Sequence, residues 1–434
     1  HVGDGARVGT RTKGSFAEVA YNAFMGVRSD YDSITTDTQG YWEEVLPAHN
    51  RLVQAYTTKA FEMLGVRISP EGVVSHMEGV LPCHHKLVQY LASKVLSGGR
   101  SLERNESPDR SVEDVPAQDL LNLADEAWPE HRGTHKLMHA IGSRLAECLT
   151  GRESGLEVLF GDPITKKTLE KFYEFWPLFQ TPIRILTASL DRAIASYSGT
   201  DKIRVLEVGA GTGGATGAVL ATLRASNAQF SYCLTDVSPS LVHAAKALFS
   251  RDDDMTFAVL DIEQDPPSEF ETEFHVIVAA NCVHATRNLN RSLANLRRML
   301  REDGVLTLIE ITQPLPMFDL IFGPLDGWWL FNDGREHVLV NEEDWERQLL
   351  RAGFDEVLWS DGQCPESKIV RTIAAFPSLA KVSREKKAWV PSRIREVKYK
   401  TCEDLDLLAD VYCPMDTDPD KLLPVGKCIG ESVL

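Results

Sequence analysis

The pattern of apolar and polar positions changes at about residue 199. Before this point, apolar residues recur at helical spacing, as in residues 16–24 and 169–176. After it, short apolar strands alternate with helical segments as far as residue 376. Such alternation predicts a mostly parallel sheet with right-handed crossovers. We therefore predict an all-helical lobe over residues 15–198, followed by an α/β core over residues 199–376.

Both ends of the chain differ from this pattern. Residues 1–14 are rich in Gly, Arg and Thr and show no periodicity, which predicts a flexible lead-in. Residues 377–434 begin with a basic, Pro-containing stretch, and two strand-like segments follow it. These segments resemble the opening strand pair of an α/β-hydrolase or thioesterase domain, but no Gly-x-Ser-x-Gly motif follows them. We expect a linker and the start of a further domain there.

The most informative stretch joins the first strand of the core to the helix after it. Residues 203–208 form an apolar, β-branched run, and Gly209, Gly211 and Gly213 follow. Glycines in such a turn let backbone N–H groups approach a ligand closely. The Glu-x-Gly-x-Gly-x-Gly spacing differs from the Gly-x-Gly-x-x-Gly of dinucleotide sites, so we interpret it as a nucleoside-cofactor loop. The alternative is that the glycines serve only chain reversal.

Acidic residues stand at the tips of three successive predicted strands. They are Glu207, Asp236 and Asp261. A carboxylate in the position of Asp236, about 25 residues after the loop, can accept hydrogen bonds from both ribose hydroxyls. The pattern resembles class I S-adenosyl-L-methionine-dependent methyltransferases, whose core is Rossmann-like. The resemblance implies that Glu207 lies near the methionine amino end, that Asp236 holds the ribose, and that Asp261 lies near the adenine.

Composition and charge narrow the choice of partners. The 434 residues are 43% hydrophobic and 25% charged, and 63 acidic against 46 basic residues give a net charge of −17. Because no dense Lys/Arg stripe interrupts this balance, nucleic acid is not expected as a partner. No apolar run is long enough for a membrane span. The eight cysteines are scattered without a Cys-x-x-Cys motif, which predicts reduced thiols and a cytoplasmic location.

A His–carboxylate pair is predicted at neighbouring strand tips. Asn281 ends one apolar strand, His284 follows it, and Glu310 lies near the end of the next strand. A glutamate beside an imidazole can fix its tautomer and stabilise the imidazolium that forms on proton abstraction. The alternative is that His284 caps the following helix while Glu310 pairs with a lysine.

Three motifs together identify a closer resemblance. Leu-Glu-Val-Gly-Ala-Gly-Thr-Gly-Gly at residues 206–214, Asn-x-x-His-Ala-Thr at 281–286 and Leu-Ile-Glu at 308–310 resemble the C-methyltransferase domain of fungal iterative, non-reducing polyketide synthases. The resemblance covers residues 15–376. It implies that His284 and Glu310 are catalytic, and that Asn281 and Tyr173 lie at the cofactor.

The reaction implied by this resemblance is methylation of the α-carbon of a β-ketoacyl thioester. The substrate would be held on the phosphopantetheine arm of an acyl carrier protein, and neighbouring polyketide synthase domains would be partners. No metal is required. The helical lobe and the aromatic-rich loop 314–331 would enclose the site, although core packing explains those aromatic residues equally well. His337 is a further candidate for a substrate contact.

Other interpretations stay open from the sequence. A freestanding small-molecule O-methyltransferase could use the same fold and the same base on a phenol. Asp-Pro-Pro-Ser at residues 265–268 loosely resembles a motif of base-modifying methyltransferases, but it follows the third strand. The domain could also be a structural spacer. His131, His135 and His139 have metal-binding spacing, but no matching Cys or acidic cluster is evident, so we expect an ordinary polar helix face.

Overall fold

The computed structural model describes residues 15–34, 38, 40–69, 72–96, 115–226, 228–249, 254–379, 392–402 and 405–413. The predicted lead-in at residues 1–14 and most of the predicted linker lie outside these residues. The chain divides into two units, His1–Leu379 and Ala380–Leu434. In the second unit, β10 (Ser392–Cys402) and β11 (Leu405–Cys413) form an antiparallel pair.

The region before the sheet is helical, as the 3.6-residue spacing predicts. Side-chain caps mark two of its helix starts: Ser15 accepts from the N–H of Glu18, and Asp162 accepts from the N–H of Thr165 at 2.7 Å. The helices are α1 (Phe16–Met25), α2 (Tyr31–Ile34), α3 (Leu46–Leu64), α4 (His85–Tyr90), α5 (Ala117–Ala127), α6 (Arg132–Gly142), α7 (Leu145–Leu149), α8 (Pro163–Phe175) and α9 (Pro177–Ser196).

The core is a seven-stranded sheet with helices between its strands. Its strands, in chain order, are β3 (Ile203–Val208), β4 (Phe230–Asp236), β5 (Met255–Val259), β6 (Phe274–Ala280), β7 (Leu300–Ile311), β8 (Glu356–Trp359) and β9 (Val370–Phe376). Their spatial order is β5-β4-β3-β6-β7-β9-β8. Strands β3 to β7 pair in parallel, whereas β9 is antiparallel to both β7 and β8. The predicted mostly parallel sheet is thus confirmed.

The helices of the core cover the sheet and lead into its loops. They are α10 (Thr216–Ala225), α11 (Pro239–Phe249), α12 (Leu289–Met299), α13 (Pro316–Phe322) and α14 (Glu342–Arg351). The apolar face of α12 shows the packing: Leu289, Leu293 and Leu296 are fully buried against the sheet. Among the described residues, no helix is long and apolar enough to cross a membrane.

Several sequence expectations need correction. The lobe expected to be all-helical contains a short antiparallel pair, β1 (Arg67–Ile68) and β2 (Val74–His76). Residues 314–331, expected to form a loop, contain α13 and a 3₁₀ turn at Asp326–Trp329. Prolines in this segment favour a loop in the sequence, but Pro316 occupies the first position of α13, where a helix tolerates proline. Helix α9 begins at Pro177 and contains Pro182 in its interior.

Candidate active site

The loop after β3 adopts the conformation that its glycines allow. Gly209, Gly211 and Gly213 all have positive φ, at 62°, 57° and 87°. A Cβ atom on Gly209 would lie 2.6 Å from the Cβ of Cys282, which follows β6. A larger residue at this position would therefore be strained in its backbone and would also collide with the neighbouring strand tip.

Asp236 holds this loop in place. One of its carboxylate oxygens accepts from the N–H of Gly211 at 2.9 Å, and the other accepts from the N–H of Ser238 at 2.8 Å. Asp236 stands at the end of β4, next to β3 in the sheet. Parallel pairing thus brings a residue 25 positions away in the sequence against the glycine loop.

Glu207 lies below the loop and is almost fully buried. One oxygen of its carboxylate accepts from the hydroxyls of Thr216, at 2.7 Å, and Tyr232, at 2.8 Å. Burial raises the pKa of Glu207 to about 7, although the two donated hydrogen bonds oppose this shift. The carboxyl group can therefore change its charge near neutral pH.

A cavity of about 250 Å³ opens beside this loop. Its lining includes Tyr173, Glu207, Gly209, Gly211 and Asn281. Asn281 has a φ of 51°, and its Oδ1 is buried without a hydrogen-bond partner among the described residues. A strained strand tip and an unmatched buried acceptor are features of a ligand site. The close backbone approach at the glycines and the adjacent carboxylates fit a nucleoside cofactor that carries hydroxyl and amino donors.

Three predicted cofactor residues, Gly213, Asp236 and Asp261, lie outside the lining of this cavity. Gly213 closes the turn, because its N–H donates to the carbonyl of Ala210 at 2.8 Å. Asp261 lies two residues beyond the end of β5, and its carboxylate accepts from the N–H of Glu263 at 2.9 Å. In this structure Asp261 stabilises a turn at the sheet edge.

His284 and Glu310 form the predicted pair. The imidazole Nδ1 of His284 lies 2.6 Å from Oε2 of Glu310, and Glu310 is fully buried at the end of β7. The other oxygen of Glu310 accepts from the backbone N–H groups of Val283, at 3.1 Å, and His284, at 3.4 Å. Since a carboxylate accepts hydrogen bonds, Nδ1 carries the proton and Nε2 is free to accept one. Nε2 has no hydrogen-bond partner within the described part of the chain.

An aromatic wall stands beside His284. The ring of Trp328 meets the His284 imidazole edge-on, with centroids 5.8 Å apart, and it stacks on Phe322. Phe322 in turn lies near Tyr173, whose stacked neighbour is Phe179. Burial raises the pKa of Tyr173, and the negative charge of Glu310 raises it further, so this phenol stays protonated.

A second buried acid fixes Trp328. Asp319 is fully buried, and its Oδ1 accepts from the indole N–H of Trp328 at 3.0 Å and lies 2.8 Å from Nε2 of His337. His337 also stacks on Tyr90, with centroids 4.7 Å apart. His337 thus contacts both Asp319 and the Trp328 ring, which it meets edge-on with centroids 6.4 Å apart. Its expected contact with the substrate stays a prediction.

The histidine series at residues 131–139 is part of the packed lobe. His135 binds Asp125 through Nδ1, at 2.7 Å, and His49 through Nε2, at 3.0 Å. Burial lowers the pKa of His131 to about 4, so it is neutral at physiological pH. Within the described ranges, no group of three or more His, Cys, Asp or Glu side chains could hold a metal ion.

Comparison with known proteins identifies the family. A methyltransferase domain family matches residues 206–306. The C-methyltransferase (CMeT) domain of the citrinin polyketide synthase superposes with a TM-score of 0.76 at 33% identity, over 83% of this chain and 97% of that domain. The chain belongs to the polyketide synthase C-methyltransferase domains. This methyltransferase is also 36% identical, over 92% of its length, to the non-reducing polyketide synthase Preu3 of Preussia isomera, of which it spans 17%.

The cofactor of this methyltransferase domain is S-adenosyl-L-methionine. A further related structure is the trans-methyltransferase CalH in complex with SAH, with a TM-score of 0.62 and 26% identity over 79% of this chain and 92% of that one. The cavity beside the glycine loop fits this cofactor, as its geometry indicates. The predicted enzyme class, cofactor and fold are confirmed.

Sequence reasoning missed several residues of the site. Lys166 and Glu170 line the cofactor cavity one turn apart on α8, on the same face as Tyr173. Helical spacing from Tyr173 could have found them, because positions three, four and seven residues apart share a face. Thr216 and Tyr232 bind Glu207 from different elements, and Asp319 binds Trp328; such contacts leave no periodic signal in a sequence.

Proposed function

We propose that this domain methylates the α-carbon of a β-ketoacyl thioester carried on the phosphopantetheine arm of an acyl carrier protein, with His284 as the general base. The observation that carries the proposal is the 2.6 Å contact between His284 Nδ1 and the fully buried Glu310, next to the glycine-lined cavity. It supports a base because the paired carboxylate leaves Nε2 as the proton acceptor.

The chain's own residues account for the proton transfer. His284 Nε2 takes the α-proton, whose acidity is raised by the two flanking carbonyl groups of the substrate. Glu310 then stabilises the imidazolium through the hydrogen bond at Nδ1. Two backbone N–H groups hold Glu310 from the other side, so the carboxylate does not need to reorganise when the charge forms. S-adenosylmethionine supplies the methyl group when it is bound.

Removal of the α-proton leaves an enolate, and enclosure of the site would protect this enolate from water. Phe322 and Trp328 form one side of the site, and Tyr173 forms part of the boundary with the cofactor cavity. Because these rings are contributed by α8 and by residues 316–329, the helical lobe and this segment together supply the enclosure.

We propose a contact with the cofactor for each of the predicted binding residues. Asp236 binds the ribose hydroxyls, Glu207 lies towards the methionine amino end, and Asp261 lies towards the adenine. Asn281 offers its unmatched Oδ1 to the cofactor, and Tyr173 closes the cavity above it. Gly209, Gly211 and Gly213 keep the loop open to the cofactor.

The proposal also covers the neighbouring domains and the cellular location. Since the chain spans about a sixth of its polyketide synthase relatives, we expect other synthase domains as partners, with residues 199–376 as the catalytic core, residues 15–198 as its lid lobe, and a cytoplasmic location. The antiparallel pair β10–β11 would begin the domain that follows.

Intact-mass analysis tests the function. The protein is incubated with S-adenosylmethionine and a β-ketoacyl pantetheine thioester, and a phenol of similar size is run in parallel. A gain of one methyl on the α-carbon of the thioester alone supports the proposal. Methylation of the phenol oxygen alone would replace it with the small-molecule O-methyltransferase.

A further inference from the structure

Helix α8 separates two cavities. Glu170 and Tyr173 face the cofactor cavity, whereas Lys167 and Lys171 face a groove of about 570 Å³ between α8 and the start of α6. This volume is within the range of small-molecule sites, about 300–1,000 Å³. The function proposed above assigns no role to the groove.

Positive charge is concentrated along this groove. Arg132, Lys136, Lys167 and Lys171 line it, together with Glu130. The three lysines are exposed and form no ion pair among the described residues. In a chain with a net charge of −17, such a cluster favours an anionic ligand.

Two residues that line the groove contain unmatched polar atoms. Thr134 is 1% exposed and Trp176 is 3% exposed, and both line the groove. Thr134 Oγ1 and Trp176 Nε1 are buried and have no hydrogen-bond partner in the part of the chain that the structure describes. An unmatched buried donor costs about 1–3 kcal/mol, so a ligand that brings acceptors would be stabilised here.

The walls of the groove are apolar. Ile164 is 76% exposed and Phe175 is 61% exposed, an unusual state for large apolar side chains on one helix. Cations, hydroxyl and indole donors, and apolar walls together fit a ligand with an anionic end, carbonyl acceptors and an aliphatic stretch.

We propose that this groove binds the phosphopantetheine group. Its phosphate would lie among Lys136, Lys167 and Lys171, and its amide carbonyls would accept from Thr134 and Trp176. This inference rests on the proposed function, in which the substrate is a phosphopantetheine thioester. The same chemistry occurs on a carrier protein and in coenzyme A, so either could be the source.

Aromatic contacts connect the groove to the reaction site. Phe172 and Trp176 form part of the groove and also pack on Phe179, with centroid distances of 5.4 Å and 4.8 Å. Phe179 stacks on Tyr173 at the cofactor cavity. A ligand in the groove would therefore contact the same aromatic cluster that borders the cofactor.

Calorimetric titration of the full chain with 4′-phosphopantetheine and with pantetheine tests this inference. We expect the phosphorylated compound to bind at least about tenfold more tightly, because charge-assisted hydrogen bonds to lysine are lost with the phosphate. The double variant Lys167→Glu/Lys171→Glu should lose this preference. Lys246→Glu, at an exposed lysine on α11, makes the charge change of one of these two substitutions elsewhere and should keep it.

A second variant tests the unmatched indole N–H. Trp176→Phe removes only the indole N–H and part of the ring, and it should weaken both compounds by about threefold to tenfold. Thermal unfolding of each variant checks that it is folded. Equal affinity of the wild type for the two compounds, or a phosphate preference that survives Lys167→Glu/Lys171→Glu, would overturn the inference.

Two competition arms identify the source. Displacement of bound phosphopantetheine by coenzyme A would point to free thioesters, and displacement by a carrier domain with its arm, but not by the same domain without it, would point to the carrier. Displacement by neither would count against the groove. Wild-type methylation of an unphosphorylated β-ketoacyl pantetheine thioester tests the proposed function separately, so one idea can fail without the other.

Discussion

The two halves of the candidate site are built differently. The cofactor half is a backbone structure: three positive-φ glycines follow one strand, and Asp236 at the next strand tip holds their loop. The acceptor half, which would hold the substrate that accepts the methyl group, is made of side chains from distant segments. They are Tyr173 from α8, Phe322 from α13 and Trp328 from the turn after it. The first half is therefore local in the sequence, and the second depends on tertiary packing.

This difference predicts which substitutions should reduce cofactor affinity and which should reduce the rate. In the cofactor half, a change of backbone conformation should abolish binding, because no neighbouring side chain can replace an N–H group that is misplaced. In the acceptor half, conservative changes should alter the rate and leave cofactor affinity nearly unchanged. The following variants test that division.

The largest effect is expected in the cofactor loop. Gly209→Ala adds a Cβ atom 2.6 Å from Cys282 at a φ of 62°, so the loop must move. We expect cofactor affinity to fall by at least about 100-fold, as measured by calorimetry, which corresponds to about 2.7 kcal/mol. Gly217→Ala is the matched control, because a Cβ atom there meets nothing within 4 Å on α10. Equal losses in both variants would show that the conformation of the loop at Gly209 does not determine cofactor binding.

Glu310→Gln should give the largest effect in the acceptor half. The backbone N–H groups of Val283 and His284 would keep the amide oxygen on their side, so the NH₂ group would face Nδ1 of His284. The imidazole would then accept at Nδ1 and carry its proton on Nε2, the wrong tautomer for a base. We expect turnover to fall by about 100-fold. Unchanged turnover in a methylation assay would show that the tautomer does not matter.

Glu207 gives cofactor binding a pH dependence. The pKa of Glu207 is raised to about 7, so between about pH 4.5 and 7 the folded free protein binds more protons than the unfolded chain. The contribution of Glu207 to the free energy of unfolding therefore falls as the pH rises through that window. A cofactor ammonium group nearby would favour the carboxylate. Affinity should therefore rise by up to about tenfold from pH 6 to 8 and should be flatter in Glu207→Gln. The same slope in both proteins would remove Glu207 from the cofactor site.

Trp328→Phe should have the smallest effect. It keeps a ring beside His284 but removes the hydrogen bond of 3.0 Å to Asp319, worth about 1 kcal/mol. We expect turnover to fall by about fivefold without loss of cofactor affinity. Trp329→Phe is the control, since its indole N–H binds the carbonyl of Gly323 instead. A rate unchanged by Trp328→Phe would show that turnover does not depend on the hydrogen bond between Trp328 and Asp319.

The same division explains what the sequence could predict. Strand β3 has the predicted bounds, 203–208, because it is an apolar run that Gly209 closes. Strand β8 has only four residues, too few for a clear periodic signal, and the prolines around α13 favour a loop over a helix in the sequence. His284 and Glu310 could be paired because parallel neighbours bring strand tips together. Asp319 and Trp328 could not, since no periodicity links an acid to an indole nine residues away.

The role of His284 is tested by single-turnover methyl transfer to a β-ketoacyl pantetheine thioester by His284→Ala, with cofactor affinity measured on the same protein. We predict a rate at least about 100-fold below that of the wild type, the scale of a general base, with cofactor affinity within about twofold. A wild-type rate would contradict the assignment of His284 as the base. An equal loss of cofactor affinity would instead make His284 a structural residue of the cofactor site.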